Sequence, residues 1–174
     1  MDLVNTRVPM TWQRCRDAGQ ALARACPFCR TEVLTQTDFG RDVPALVIGR
    51  GERKVIFSGA HHANEWITAT VLLKFAEDLA RAIAGGGELY GIPGDLFDRY
   101  VTVHIVPMVN PDGVDLVTGA IPPETVAYET ARGISEGFPD IPFPDGWKAN
   151  LLGVDLNLQY PAGWLQAREI KFSQ

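Results

Sequence analysis

The stretch FSGAHHANEWIT, residues 57–68, holds two adjacent histidines, the second of them three residues before a glutamate. His62 and Glu65 are spaced i, i+3, so their side chains converge if the chain turns into a helix near Glu65. Imidazole nitrogen and carboxylate oxygen suit Zn²⁺, which in catalytic sites takes three protein ligands and a water. A glutamate in the first turn of a helix is also ordinary helix-dipole complementarity. The spacing alone therefore leaves a metal site and a plain helix start both open.

Regular elements are predicted on both sides of these residues. The apolar run at 54–59 predicts a strand that leads into the histidines. Residues 65–83 predict a long amphipathic helix that follows them. Its apolar face is predicted to carry Leu72, Phe75, Leu79 and Ile83, and its polar face Lys74, Glu77, Asp78 and Arg81. The histidines would then lie where a strand passes into a helix.

The rest of the chain predicts one α/β domain. Thr11 begins a predicted helix over 11–26, which Pro27 ends. Further strands are predicted at 31–38, 43–49 and 100–109, and a hairpin is predicted between the strands 43–49 and 54–59. Residues 110–150 are rich in proline and glycine and predict a long loop region, of the kind that is often functional. Strands that alternate with helices, together with a hairpin, predict a mixed sheet.

Composition narrows the possible partners. The chain has 174 residues, a net charge of -5 and a pI of about 5.2, which argues against a nucleic-acid partner. No apolar run reaches the length that a membrane-spanning helix needs, so no membrane partner is expected. The start of the chain lacks the basic-then-apolar order of a secretory signal. We therefore expect a cytoplasmic location.

Three cysteines are present, at positions 15, 26 and 29. An odd number argues against a disulfide framework. Cys26 and Cys29 have the C-x-x-C spacing of redox and zinc motifs. There is no second pair, and this pair does not follow a strand of a βαβ unit. The sequence favours small apolar residues that close the first helix over a redox or zinc role.

Three motifs in the same order resemble the carboxypeptidase A-like zinc peptidases: GAHHANEWIT, VNPDGVDLV at 109–117 and GVDLN at 153–157. The sequences of these motifs are most similar to those of the bacterial γ-D-glutamyl-L-diamino acid endopeptidases, which cut the peptide stems of peptidoglycan. The resemblance implies a mixed-sheet, three-layer α/β/α zinc carboxypeptidase-like domain. It also implies a peptide substrate, a peptidoglycan stem peptide, and Zn²⁺ as the cofactor. Residues 1–174 would form the N-terminal portion of one catalytic domain.

The resemblance implies roles for individual residues. His62 and Glu65 would be the first two zinc ligands, with His61 a neighbour that shapes the rim of the site. Asn157 would bind the terminal carboxylate of the substrate. Lys148 would hold the place of the cation that stabilises the oxyanion, and a solvated loop lysine remains the alternative.

Three other polar residues have less specific roles. Asp155 would either orient a neighbouring histidine or anchor the backbone. Asp112, in the NPDG segment, would lie in a turn that places the following loop. His104 alternates with apolar residues in a predicted strand, which favours a histidine on the face of the sheet.

The sequence also departs from the family pattern. Leu158 stands where the family usually has arginine, which removes a bidentate clamp for a free carboxylate and favours an endopeptidase. No histidine follows His104, so neither a third zinc ligand nor a general base is identified within the chain. We expect a domain that is incomplete at its C-terminus, inactive alone, and left with an open sheet edge. The alternative is a non-catalytic module that keeps the cleft and binds peptides or peptidoglycan.

Overall fold

The computed structural model describes residues 2–173, with twelve helices and strands in that range. In chain order they are α1 Trp12–Ala25, β1 Cys29–Gln36, β2 Asp42–Ile48, β3 Arg53–Ser58, α2 Ile67–Gly85, β4 Glu88–Leu89, β5 Ile92–Pro93, α3 Gly94–Tyr100, β6 Val101–Val106, α4 Pro111–Val117, α5 Val126–Ser135 and α6 Trp164–Phe172. Two short 3₁₀ turns lie at Ala63–Glu65 and Leu156–Leu158.

The main sheet has four strands in the order β1-β2-β6-β3. β1 and β2 are antiparallel, β2 and β6 are antiparallel, and β3 runs parallel to β6. β4 and β5 form a separate two-stranded ribbon. The predicted α/β class with a mixed sheet is confirmed.

The predicted hairpin between the second and third strands is wrong. β6 lies between them, and Val103 pairs with Ile48 on one side and Val55 on the other. The segment that joins β2 to β3 crosses close to the start of β6: a Cβ on Gly51 would lie 1.9 Å from a backbone carbon of Tyr100. β6 takes the central position because its apolar residues can be buried there with hydrogen bonds on both sides. The hairpin in this sheet joins β1 and β2 instead.

The helix α1 is confirmed within one residue of its predicted ends. The Thr11 hydroxyl accepts a hydrogen bond from the Arg14 N–H, which caps the helix. Cys15 and Leu22 point into the main core, which lies between α1, α2 and the sheet. α2 also confirms the predicted long helix, although it begins at Ile67, after the 3₁₀ turn.

Glu77 departs from the predicted polar face of α2. Its side chain is 0% exposed, because the segment before α1 lies over this part of the helix. One carboxylate oxygen accepts the Leu3 N–H at 2.8 Å, and the other accepts from the Lys74 ammonium at 2.8 Å. A buried carboxylate needs such partners, and helical periodicity could not show that a distant segment supplies one.

The region 110–150 is not a continuous loop, since it contains α4 and α5. Asn110 caps α4, so Asp112 lies in the first helical turn and not in the isolated turn that was predicted. Thr125 caps α5 in the same way. Both helices are short, so neither gives a long apolar periodicity, and the surrounding proline and glycine residues led to the prediction of a loop. They enclose a second core cluster that contains Ala63, Leu116, Ile121, Ala131, Trp147 and Leu151.

β3 forms one edge of the sheet, and all six of its residues are exposed. Ile56 is 70% exposed and Phe57 is 41% exposed. Within residues 2–173, no helix has the length and apolar character needed to cross a membrane.

Candidate metal and peptide site

The candidate site begins where β3 ends. Gly59 is tightly enclosed, since a Cβ there would lie 2.9 Å from a methyl carbon of Leu72. Ala60 has a φ of 47°, in the left-handed region that favours glycine, and its N–H donates to the Thr68 hydroxyl at 2.7 Å. The sharp turn at these residues directs the following histidines out of the strand and into the 3₁₀ turn before α2.

His62 and Glu65 converge as their spacing predicts. The His62 Nδ1 atom lies 3.0 Å from the Glu65 Oε1 atom. The imidazole is 18% exposed and the carboxylate is 49% exposed, so both face an accessible surface. One nitrogen and one carboxylate oxygen at this separation form an arrangement that can hold a divalent cation.

Asp155 lies on the other side of the same imidazole. Its Oδ1 atom is 3.4 Å from His62 Nε2, and it also accepts the Asn157 N–H at 3.1 Å. Asp155 therefore contacts both a neighbouring histidine and the backbone, the two partners that the sequence left open for it. A carboxylate facing the second ring nitrogen fixes the orientation of a metal-binding histidine.

His61 is separate from this pair. Its Nε2 atom lies 2.7 Å from the Tyr160 hydroxyl, and the two rings are tilted against each other. Burial, and then the neighbouring His62, lower the pKa of the His61 imidazole, while Glu65 opposes the shift. The contact joins the loop at residues 61–65, which carries the candidate ligands, to the segment that follows Asp155.

Asn110 holds two segments of the site together, a role that sequence reasoning missed. Its amide nitrogen donates to the carbonyl oxygens of His61 at 3.1 Å and Ala149 at 3.0 Å, with Lys148 O at 3.4 Å. Its side-chain oxygen accepts the Gly113 N–H at 3.1 Å. An asparagine followed by proline is typical of the start of a helix, so the sequence could have predicted the cap. It could not have predicted the hydrogen bonds to three carbonyl groups.

The same two segments also pair through their backbones. The Ala63 N–H donates to the Lys148 carbonyl at 3.0 Å, and the Asn64 N–H donates to the Trp147 carbonyl at 3.2 Å. Lys148 is thus joined directly to the loop of His62 and Glu65, while its side chain is exposed and has no ion-pair partner among the described side chains.

The remaining candidates are placed as follows. Asn157 is exposed in the 3₁₀ turn after Asp155, and Leu158 beside it is 37% exposed. His104 lies in the middle of the sheet, paired with Val47 and Ile56, as its alternation with apolar residues predicts.

The three cysteines are free and buried. Burial raises the pKa of the Cys15 thiol to about 12 and, with a contribution from Cys26, that of Cys29 to about 11. Buried thiols whose pKa is raised in this way are poor nucleophiles. Their environment agrees with the apolar role that the sequence favours.

A buried ion-pair network supports the site from behind. Arg41 binds Asp112 and Asp115, each at 2.8 Å, and Asp115 also accepts the Trp12 N–H at 2.7 Å. Burial raises the pKa of Asp115, and the Trp12 N–H and Arg41 oppose that shift. The network ties α1 and the start of β2 to α4, whose N-cap is Asn110.

Within residues 2–173, His, Cys, Asp and Glu side chains form no group of three or more that could hold a metal ion. The described chain brings together two candidate ligands, His62 and Glu65, with the Asp155 carboxylate behind the histidine.

The sequence profile of the zinc carboxypeptidase family matches residues 16–174, and the chain belongs to that family. It is 34% identical over 167 residues to γ-D-glutamyl-L-diamino acid endopeptidase 1 of Lysinibacillus sphaericus, a match that covers 93% of this chain and 40% of that protein. It is 35% identical over 142 residues to the uncharacterized protein YqgT of Bacillus subtilis, covering 79% of this chain and 36% of YqgT. The chain thus spans about two fifths of the length of these relatives.

Solved structures support the fold. A metallo-carboxypeptidase from Burkholderia cenocepacia matches with a TM-score of 0.56 and 22% identity, over 95% of this chain and 38% of that one. Bovine thrombin-activatable fibrinolysis inhibitor, solved in complex with tick carboxypeptidase inhibitor, matches with a TM-score of 0.56 and 13% identity, over 83% of this chain and 38% of that one. The predicted carboxypeptidase-like α/β fold is confirmed.

Proposed function

We propose that this chain carries the zinc-binding loop and part of the peptide-binding surface of a zinc-dependent metallopeptidase. His62 and Glu65 bind the zinc ion, and Asp155 orients His62. The observation that carries the proposal is the 3.0 Å approach of His62 Nδ1 to Glu65 Oε1, with Asp155 against the opposite ring nitrogen. The donor set, one neutral nitrogen and one carboxylate oxygen, is one that zinc accepts.

Zinc in such a site polarises a carbonyl and lowers the pKa of a bound water towards about 7. This chain's own residues hold and orient the ion and present the peptide. Lys148, fixed by its backbone bonds to the metal-binding loop, places a cation where negative charge develops on the substrate. Asn157, exposed beside Asp155, offers an amide to a substrate carboxylate.

The substrate we propose is a peptidoglycan stem peptide, cut at a γ-D-glutamyl–diamino acid bond. The name of the Lysinibacillus relative and the closely similar motifs support this assignment. Leu158 supports it as well, because an apolar side chain there offers no clamp for the free carboxylate that an exopeptidase must hold.

Zinc titration tests the metal assignment. Calorimetry on the chain should show one zinc ion bound, with binding lost in His62→Gln and in Glu65→Gln. His104→Gln is the matched control, since it removes a histidine that lies in the middle of the sheet. Zinc binding that survives His62→Gln but is lost in His104→Gln would overturn the assignment.

A non-catalytic peptide-binding module is the second candidate. The observation in its favour is the two-ligand arrangement, because catalytic zinc sites use three protein ligands. Assays of the purified chain on a γ-D-glutamyl-diaminopimelate peptide separate the two. Zinc-dependent turnover supports the peptidase, whereas peptide binding that is indifferent to zinc, without turnover, supports the module.

A further inference from the structure

The loop that carries the two candidate zinc ligands begins at a strained backbone position. Ala60 has a φ of 47°, in the left-handed region where a side chain is disfavoured, and it is 2% exposed. Its carbonyl oxygen accepts the Asn110 N–H at 3.0 Å. Its own N–H is directed towards α2, and a buried N–H needs a hydrogen-bond partner.

The hydroxyl of Thr68, in the first turn of α2, is that partner. Its oxygen accepts the Ala60 N–H at 2.7 Å. The same hydroxyl donates its hydrogen to the Glu65 carbonyl at 2.8 Å. A hydroxyl accepts and donates at once, which the side chains of valine and alanine cannot do. One side-chain oxygen thus joins the residue before the loop at residues 61–65 to the last residue of that loop.

This connection encloses both candidate ligands. The His62 Nδ1 atom lies 3.0 Å from the Glu65 Oε1 atom, and the Glu65 N–H donates to the His62 carbonyl at 3.1 Å. The Glu65 side chain is 49% exposed, so packing against neighbours restricts it little. The direction of its carboxylate therefore depends on the backbone of Glu65, and the Thr68 hydroxyl holds the carbonyl of that residue.

Thr68 does more than a threonine within a helix usually does. Such a hydroxyl commonly donates to a carbonyl one turn back, as Thr130 does to the Val126 carbonyl at 2.8 Å. Thr68 also accepts an N–H from a segment outside its helix. The fold leaves room for this contact at Gly59, where a Cβ would lie 3.1 Å from the Thr68 hydroxyl oxygen.

We propose that Thr68 is a positioning residue of the zinc site, whose hydroxyl fixes the loop at residues 61–65 so that Glu65 and His62 can bind one ion together. The inference deepens the proposed function and rests on it for the identity of the ion. The contact between the two side chains is measured on the metal-free chain, separately from zinc binding.

Thr68→Val tests the role, because it removes the hydroxyl and keeps the shape of the side chain. In the 174-residue chain with EDTA present, the nuclear Overhauser effect between the His62 ring and the Glu65 side chain should be lost. In calorimetric titration, zinc should bind about tenfold more weakly, at the lower end of the range for loss of a group that orients a metal ligand. Thr68→Ser keeps the hydroxyl, so both measurements should stay close to those of the unmodified chain.

Two control variants separate positioning from stability. Thr130→Val removes a hydroxyl that donates within its own helix, so it is chemically matched to Thr68→Val. Ile48→Val removes a buried methylene from β2, which does not pair with β3, and lowers the stability of the fold. Neither should change the nuclear Overhauser effect or the zinc affinity.

An Overhauser effect that persists in Thr68→Val, or that is missing from the unmodified chain, would overturn the proposal. So would an unchanged zinc affinity in Thr68→Val, or an equal loss in Ile48→Val. If Thr68→Val does not fold, the same comparison is made between Ala60→Gly and Ala60→Gly with Thr68→Val, because glycine adopts a positive φ without strain. Absence of zinc binding in the unmodified chain, with the expected Overhauser effects, would overturn the metal assignment and leave the positioning of Glu65 by Thr68 intact.

Discussion

His62 has a carboxylate against each ring nitrogen, and this arrangement distinguishes it from the other two histidines. Glu65 lies 3.0 Å from Nδ1 and Asp155 lies 3.4 Å from Nε2. His61 has a tyrosine hydroxyl as its partner, and His104 lies within the sheet. Glu65 and Asp155 thus face opposite nitrogens of the His62 ring, which is the arrangement that the proposed zinc site needs.

We expect Asp155→Asn to weaken zinc binding about 10- to 100-fold, because the amide lacks the charge that makes His62 a better ligand. The asparagine oxygen can still accept the Asn157 N–H, so the local turn is retained. Calorimetric zinc titration measures the change, and Asp140→Asn, which removes an exposed carboxylate, is the control. An unchanged zinc affinity would mean that Asp155 serves only the backbone.

Leu158→Arg should improve the binding of a blocked dipeptide with a free C-terminal carboxylate by several-fold, since a guanidinium can bind a carboxylate through two hydrogen bonds. Leu165→Arg adds the same charge at another exposed leucine, in α6, and serves as the control. Fluorescence anisotropy with a labelled dipeptide gives the affinities. Equal gains in both variants would indicate a general charge effect and no carboxylate site at position 158.

At the scale of elements, the site depends on contacts between segments that are far apart in the sequence. Asn110, at the start of α4, donates to carbonyl groups of the loop at residues 61–65 and of the segment around Lys148. The backbone N–H groups of Ala63 and Asn64 donate hydrogen bonds to the same segment. Loss of the Asn110 amide donor should therefore disturb the contact between these two segments more than it disturbs α4.

Asn110→Asp separates these two roles. The aspartate oxygen can still cap α4 at the Gly113 N–H, but it faces three carbonyl oxygens without a donor. We expect the free energy of unfolding to fall by about 3 kcal/mol. Urea denaturation measures the loss. In hydrogen exchange the Ala63 and Asn64 amides should lose protection, while the Val114 amide, which bonds to the Asn110 carbonyl, keeps it.

Asn150→Asp is the matched control for this variant. Among the residues that the structure describes, the Asn150 side chain only accepts hydrogen bonds, from the Leu152 and Val154 N–H groups, so aspartate can replace it at little cost. Equal destabilisation in both variants would contradict the role assigned to the Asn110 amide donor.

Arg41→Met should lower the free energy of unfolding by about 3–5 kcal/mol at pH 7, because it leaves Asp112 and Asp115 buried without their cation. Burial already raises the pKa of Asp115, and loss of Arg41 raises it further. The folded state then holds the Asp115 proton more tightly than the unfolded chain, so stability falls as the pH rises through the folded pKa.

The loss in the free energy of unfolding that Arg41→Met causes should therefore become smaller as the pH is lowered and Asp115 becomes protonated. Urea denaturation at pH 7 and pH 5 measures it, with Arg53→Met, at an exposed arginine of β3, as the control. A deficit that is the same at both pH values would show that loss of the Arg41 side-chain packing, and not the unpaired charge, accounts for it.

Elements whose signals are local could be predicted from the sequence. The cap at Thr11, the long apolar periodicity of α2 and the spacing of His62 and Glu65 each lie within one turn or one helix. The β2–β3 hairpin was wrong because β6, which lies far along the chain, takes the place between them. Glu77 and Asn110 were misjudged or missed for the same reason: their partners come from distant segments.

At the scale of the whole molecule, the exposed edge strand β3 is the surface at which we expect the chain to associate with other chains. Unpaired backbone groups and large apolar side chains on an edge strand promote pairing with other chains. Ile56→Lys should reduce concentration-dependent association, which light scattering coupled to gel filtration measures. Val126→Lys places the same charge at an exposed apolar residue away from the sheet and should have little effect. Association that is unchanged by Ile56→Lys would exclude this edge as its cause.

The central position of β6 has a consequence for how the chain folds. β2 and β3 leave the ribosome well before the strand that both of them need as a neighbour. Until β6 has formed, neither strand has the neighbour that it has in the finished sheet. Folds in which distant segments pair at the centre are slow to form, because the loop must close before any contact stabilises it. We therefore expect the entry of β6 between β2 and β3 to be a late and slow step in the assembly of the sheet, to which the loop at residues 61–65 is attached.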